Sequence, residues 1–390
     1  MTVMPLVSQN YAVLRIPRAS CRDYSAPMVL STQLGTVIKV PYALRRIPAA
    51  TQVSLLPFAG DPRAGDIALA RVEKIGKNTA VELADGRRCG LHEADLLAVV
   101  FGNRYASRQF EGYAGAVGDC CDLLSMGGLC GVAKSKHASL ADPTKLRILY
   151  TIGDCAQQPL QLGNFAVPQT RAVDRPRVVG VCGTSMDSGK THTAMSLIKG
   201  LGRQNCRVAG IKLTGTAAGR DTWTMRDAGA FLALDFVDGG LASTFMCALP
   251  ELLNLHKLLV NHAASQGAEW VVIEVADGLL QRETAALLQN TRFAESVDSW
   301  VFAASEALSA VGGVALLRSW GIRPLAMSGL LSMSPLDMRE AELATGLECL
   351  TATQLQTGHL NARLSETVAQ PPRSYRPAQP EMVQSAYNSR

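Results

Sequence analysis

Two lysines and a small set of carboxylates in the second half of the chain carry the chemistry that residue type and spacing make legible. Lys190 lies in residues 180–194, GVCGTSMDSGKTHTA, directly after Gly189 and before Thr191. Glycine, lysine and a hydroxyl in that order suit a polyphosphate. The ammonium reaches the β- and γ-phosphates, and the hydroxyl is of the type that holds Mg²⁺. The common spacing, GxxxxGK[ST], would require glycine at Thr184, but the glycine stands one place earlier, at Gly183. Residues 183–191 therefore form a candidate phosphate loop one residue longer than usual, with Gly183, Thr184, Ser188, Gly189, Lys190 and Thr191 as its contact residues.

Such a loop needs a strand before it and a helix after it, so that backbone N–H groups and the helix dipole converge on one anion. The flanks comply. Residues 178–182 are an apolar run, and Ala194, Leu197, Ile198 and Leu201 fall at i, i+3, i+4 and i+7, one helical face. Further apolar runs follow at RVAGIKL, WVVIEV, SWVFAA and RPLAMSGLL, separated by stretches long enough for helices. The pattern predicts a parallel sheet flanked by helices. Strand ends in such a sheet face one crevice, which would bring Lys212 and Glu274 to the phosphate loop.

The loop GTSMDSGKT resembles the GTDTGVGKT loop of the dethiobiotin synthetase family, and weaker matches follow it in order. VAGIKLTG is similar to that family's second strand, which implies that Lys212 contacts substrate and γ-phosphate. RDAGAFLAL is similar to its Asp-Ala-Leu segment, which implies Asp227 as a Mg²⁺ ligand, with Asp221 close by as the alternative. WVVIEVADGLL is similar to the strand end whose glutamate is also a ligand, here Glu274. The likeness runs from about residue 178 to 350. It implies ATP and Mg²⁺ as cofactors, Lys190 and Lys212 as catalytic, Thr191, Asp227 and Glu274 at the metal, and a homodimer. Three departures stand out. The family's Glu-Gly-Ala-Gly-Gly is Glu274-Val275-Ala276-Asp277-Gly278, Leu213 replaces a proline, and the adenine-reading asparagine has no counterpart. The substrate expected is therefore a small molecule other than the family's diamino acid.

The first half has a different texture. Short β-like runs between residues 29 and 100 alternate with Gly, Pro and Asp turns, and VELADGRR carries an Asp-Gly hairpin signal. A small barrel or sandwich is expected. Residues 101–170 read as long loops, in which GNRY (102–105) and SKH (135–137) are candidate substrate contacts. The chain divides on this reading into a mainly β domain at 1–172, a P-loop NTPase domain at 173–368 and a Pro-rich, disordered tail at 369–390.

A net charge of +5 over 390 residues, without basic blocks, argues against a nucleic-acid partner. The segment MTVMPLVSQN lacks the pattern of a secretion signal, and the apolar run at 300–320 is broken by Glu306 and a Gly-Gly, so no membrane association is expected. Ten cysteines without such a signal point to reduced thiols in the cytoplasm. Cys120, Cys121, Cys130, His137 and Cys155 match no common zinc spacing, and Cys182 belongs to a core strand. The function expected is ATP- and Mg²⁺-dependent phosphoryl transfer of the ligase or kinase kind. The alternatives are an accessory NTPase, similar to the GTPase accessory of molybdopterin-guanine dinucleotide synthesis, and a regulatory binding module. The absence of an Asn-Lys-x-Asp guanine-reading motif lowers the first of these.

Overall fold

The computed structural model describes residues 30–31, 37–48, 51–171 and 174–366. The segment MTVMPLVSQN and the Pro-rich tail lie outside them. Eleven strands come first: β1 Leu30–Ser31, β2 Val37–Lys39, β3 Ser54–Leu56, β4 Ile67–Lys74, β5 Ala80–Glu82, β6 Arg88–Gly90, β7 Leu96–Phe101, β8 Phe110–Tyr113, β9 Cys120–Leu123, β10 Leu129–Lys136 and β11 Thr144–Gly153. Their main sheet runs β1-β2-β7-β4-β11-β9-β10-β8, and a second pairing of β10 with β7 closes the middle into a small barrel. Alternation fills it. Ala68, Ala70, Val72, Leu97, Val99, Phe101, Cys121, Leu123, Leu146 and Ile148 form one apolar cluster, as period-two patterning dictates. Ile67, Leu69, Ala98 and Val100, on the opposite faces of the same strands, join the core of the second half of the chain.

Residues 101–170, expected to be loops, instead contain β8, β9, β10 and β11. Their glycines mark close approach. A Cβ at Gly131 would stand 2.2 Å from the Tyr113 carbonyl oxygen, and one at Gly127 would stand 2.0 Å from that of Ala217. Only glycine admits such contacts, inside β10 at Gly131 and in the turn before it at Gly127. The Asp-Gly hairpin is present, with β5 and β6 paired antiparallel across Asp85 and Gly86.

The second half builds an all-parallel sheet from β12 Arg177–Gly183, β13 Val208–Lys212, β14 Leu232–Asp235, β15 Trp270–Glu274, β16 Ser299–Ala303 and β17 Ala326–Ser328. Helices α1 Lys190–Gly202, α2 Arg220–Asp227, α3 Leu249–Ser265, α4 Arg282–Gln289, α5 Thr291–Ser296, α6 Ala307–Ser319, α7 Pro335–Thr345, α8 Ala352–Gln356 and α9 Asn361–Glu366 connect and flank them. The α/β architecture expected from the apolar runs is therefore present. The strand order is β14-β13-β15-β12-β16-β17. The chain leaves β12 toward one edge and returns to build the other, so β12 ends at the switch point where an open sheet forms its crevice.

Candidate nucleotide-phosphate site

The loop after β12 is shaped by its two glycines. A Cβ at Gly183 would meet the Ser188 Oγ at 2.5 Å, and one at Gly189, where φ is +92°, would meet the Gly329 Cα at 2.8 Å. No side chain fits at either place, which is why glycine occupies both. The Thr184 N–H donates to the Ala303 carbonyl at 3.0 Å, tying the loop to β16. Lys190 opens α1 and is 5% exposed. Its Nζ donates to the Ser185 carbonyl at 2.6 Å and lies 3.5 Å from the buried Ser188 Oγ. Burial holds this ammonium below its ordinary range, against the opposing fields of Glu274 and Asp277. The buried face of α1 contains Ala194, Leu197, Ile198 and Leu201, as the spacing requires.

Glu274 ends β15 beside Lys212, its register partner at the end of β13. The Thr191 hydroxyl donates to Glu274 Oε1 at 2.9 Å and lies 3.4 Å from Asp221 Oδ1. Lys212 is ion-paired with Asp221 through Oδ2. Glu274 is 2% exposed, and its Oε2 is buried without a hydrogen-bond partner. An unmatched buried carboxylate oxygen costs free energy unless a cation reaches it. Oxygens from Thr191, Asp221 and Glu274 are hard ligands of the type Mg²⁺ takes, so these residues fit that ion. Asp227 is placed elsewhere. It ends α2 and is exposed, while Asp221 in the first turn of that helix lines the cavity.

These groups line one wall of a cavity of about 440 Å³, and the β barrel supplies the other through Arg104, Tyr105 and Gln109. The segment GNRY thus reaches the site. SKH does not: Ser135 bonds Glu111 and His137 bonds Ser139, and neither lines the cavity. Asp277 follows β15 in a left-handed conformation, φ +64°. Burial raises its pKa, against the fields of Lys190 and Lys212. Gly278 next to it packs on the phosphate loop, since a Cβ there would stand 2.5 Å from the Thr184 carbonyl oxygen. His192 borders the cavity from the solvent side.

The barrel also grips the start of α2, the helix that carries Asp221. Glu82 Oε2 accepts the Gly219 N–H at 2.8 Å, and the Tyr42 hydroxyl bonds Thr222 at 2.8 Å and Asp235 at 2.9 Å. Arg45 completes this contact by donating to Asp235 at 2.7 Å and to Asp238 at 2.6 Å. Gln109, Asp277 and Glu82 were not singled out as contact residues in the sequence, whereas Arg104 was, within GNRY.

No protein-family model and no curated protein matches the sequence. Solved structures similar to it include the Signal Recognition Particle 54 kDa protein of Aeropyrum pernix K1 in complex with GDP, at 19% identity and TM-score 0.34, covering 52% of this chain and 50% of that one. Chloroplast FtsY of Physcomitrella patens matches at 13% and 0.33, covering 48% and 62%. The hydrogenase maturation factor HypB of Archaeoglobus fulgidus matches at 13% and 0.34, covering 48% and 90%. The match spans less than two thirds of the first two structures' length, and none of the three is a dethiobiotin synthetase. It is the unit of β12, phosphate loop and α1, set in a parallel sheet, that makes this a P-loop NTPase fold.

Proposed function

We propose that the protein is a Mg²⁺-dependent nucleoside triphosphatase of the accessory or regulatory kind, in which the β barrel and the P-loop domain share one nucleotide site. The observation that carries this reading is the unpartnered buried Glu274 Oε2 beside the Thr191 hydroxyl at the start of α1. Mg²⁺, when bound, would supply neutralisation of the phosphate charge. Glu274, Asp221 and Thr191 would hold it, and Lys190, which donates to the Ser185 carbonyl, would donate to phosphate instead. Lys212, the cation that a phosphoryl transferase would turn toward an acceptor, is engaged by Asp221.

Release of inorganic phosphate from ATP and from GTP, each with Mg²⁺ and leaving ADP or GDP, tests the reading. Lys190→Ala should lower it by about a hundredfold or more, because the lysine supplies a preorganised charge. Equal release by wild type and Lys190→Ala would remove the assignment. Glu274→Gln should retain nucleotide binding and shift the Mg²⁺ titration to higher concentration, since one hard anionic ligand is lost at nearly constant shape. An unchanged titration would make Glu274 structural.

A second reading, ATP-dependent activation of a small substrate by dethiobiotin synthetase-like ligase or kinase chemistry, is favoured by the lengthened loop and by Lys212 at a strand end. Stimulation of ADP release by a mixed pool of amines and carboxylates would put it ahead. Adenine is the expected base on the sequence.

A further inference from the structure

The barrel sends one buried cation into the phosphate cavity, and that cation has almost no partner. Arg104 follows β7 and pairs through its backbone with Gly112, which fixes its Cα at the mouth of the barrel. Its side chain lines the cavity together with Lys190, Lys212 and Asp277. The residue is 7% exposed. Nη2 donates to Gln109 Oε1 at 2.6 Å, while Nε and Nη1 are buried with no acceptor. Burial pulls the guanidinium down to about 10, and the field of Asp277 is the one opposing influence. A fork of donors with two nitrogens unmatched is costly to keep in a cavity wall. It matches the geometry of a phosphoryl group, whose oxygens accept in pairs.

The geometry points to Arg104 as a ligand, supplied in cis by the β barrel, for the terminal phosphoryl group of the bound nucleoside triphosphate. This rests on the nucleotide reading above and deepens it, because the barrel then completes the site instead of merely flanking it. Asp277 has a matching role. With the cavity free of nucleotide its field is the counter-charge to Arg104, and a terminal phosphate would take over that duty. Loss of that phosphate leaves Arg104 with Asp277 alone, so the barrel's hold on the loop depends on which nucleotide is bound.

The test separates di- from triphosphate. Binding of ADP, GDP and their non-hydrolysable triphosphate analogues is measured on wild type, Arg104→Ala, Arg104→Lys and Lys190→Ala, with the unfolding midpoint of each. Arg104→Ala should leave diphosphate affinity within about threefold and weaken the triphosphate analogue by about tenfold to a hundredfold, the effect of losing charged hydrogen bonds. Its turnover should fall by roughly a thousandfold, as when an arginine at a transferring phosphoryl group is removed. Arg104→Lys should restore little of either, because a point cation cannot replace the fork. Equal weakening of di- and triphosphate, or turnover within about threefold of wild type, would overturn the role of Arg104 while leaving nucleotide binding intact. If wild type and Lys190→Ala bind no nucleotide alike, the nucleotide reading falls as well.

Discussion

Two buried arginines from the barrel half of the chain reach the P-loop domain, and they are treated in opposite ways. Arg45 meets two carboxylates, Asp235 at 2.7 Å and Asp238 at 2.6 Å, and its guanidinium lies 4.1 Å from the centroid of the Tyr42 ring. Both bonds come from Nη2, and Nη1 is buried without one. Burial lowers its pKa, but the two carboxylates outweigh it and hold the guanidinium well above its usual range. Arg104 meets one amide and is pulled down to about 10, because nothing comparable opposes its burial. The same group in the same half of the chain is therefore used once as a closed contact and once as an open one. Closed contacts hold the two halves together, and an open one awaits an anion. The difference lies in what the P-loop domain offers each of them: a pair of aspartates at and just beyond the end of β14, or a cavity.

The largest effect expected on stability comes from breaking the closed contact. Arg45→Met leaves Asp235 and Asp238 buried without their cation, and should cost about 3–5 kcal/mol in denaturant unfolding. The deficit should narrow as the pH falls. Burial raises the Asp238 pKa even though Arg45 lowers it, so loss of Arg45 raises it further. The variant then takes up protons on folding over a wider window above the ordinary aspartate value than wild type does, and it regains more stability as pH drops through that window. A deficit independent of pH would mean that lost packing on Tyr42 dominates. The open contact should respond differently. Arg104→Met should leave the unfolding midpoint unchanged or raise it, since it removes a buried charge that the nucleotide-free fold does not satisfy. A loss above about 2 kcal/mol would make Arg104 structural and end the contrast.

How much of this was legible in the sequence follows the range of the interactions involved. The phosphate loop is local: strand, glycines, lysine and helix face sit within residues 178–201, and the fold places Lys190, Thr191 and the face from Ala194 to Leu201 as the spacing requires. Lys212 and Glu274 were legible because a charged residue ending an apolar run must emerge at the carboxyl end of the sheet, and they are register partners there. Asp227 was misleading for a helical reason. It lies six residues beyond Asp221 on α2, about 9 Å along the axis, and only Arg220, Asp221 and Thr224 of that helix line the cavity. The strands within residues 110–153 were hidden because glycines that admit neighbouring backbone look like turns when the neighbour is unknown. β14, only four residues long, carried too short an apolar run to separate from the helix before it. Arg104 was legible only as a member of GNRY, a candidate contact by its loop character. Its burial and its unmatched nitrogens have no local signature.

The smallest expected effect asks whether the closed contact extends from Arg45 to the metal corner. Glu82 of the barrel accepts the Gly219 N–H at 2.8 Å, and Gly219 precedes the helix that carries Asp221. Helix starts leave N–H groups that need acceptors and favour negative charge, so Glu82 serves α2 in two ways at once. Glu82→Gln keeps a carbonyl acceptor and deletes the charge, whereas Glu82→Ala deletes both. Burial raises the Glu82 pKa, which marks its charge as partly unfavourable where it stands. The gain from neutralising it and the loss at the helix start should nearly cancel, leaving Glu82→Gln within about 0.5 kcal/mol of wild type. Glu82→Ala strands the Gly219 N–H and should cost about 1–2 kcal/mol. Because α2 carries Asp221 to Thr191 and Lys212, the alanine variant should also need more Mg²⁺ for half-maximal turnover, and the glutamine variant should not. If both variants shift the Mg²⁺ requirement equally, the charge of Glu82 and not its hydrogen bond sets the position of α2. If neither shifts it, the barrel's grip ends at Arg45, and Arg104 is left as its link to the nucleotide.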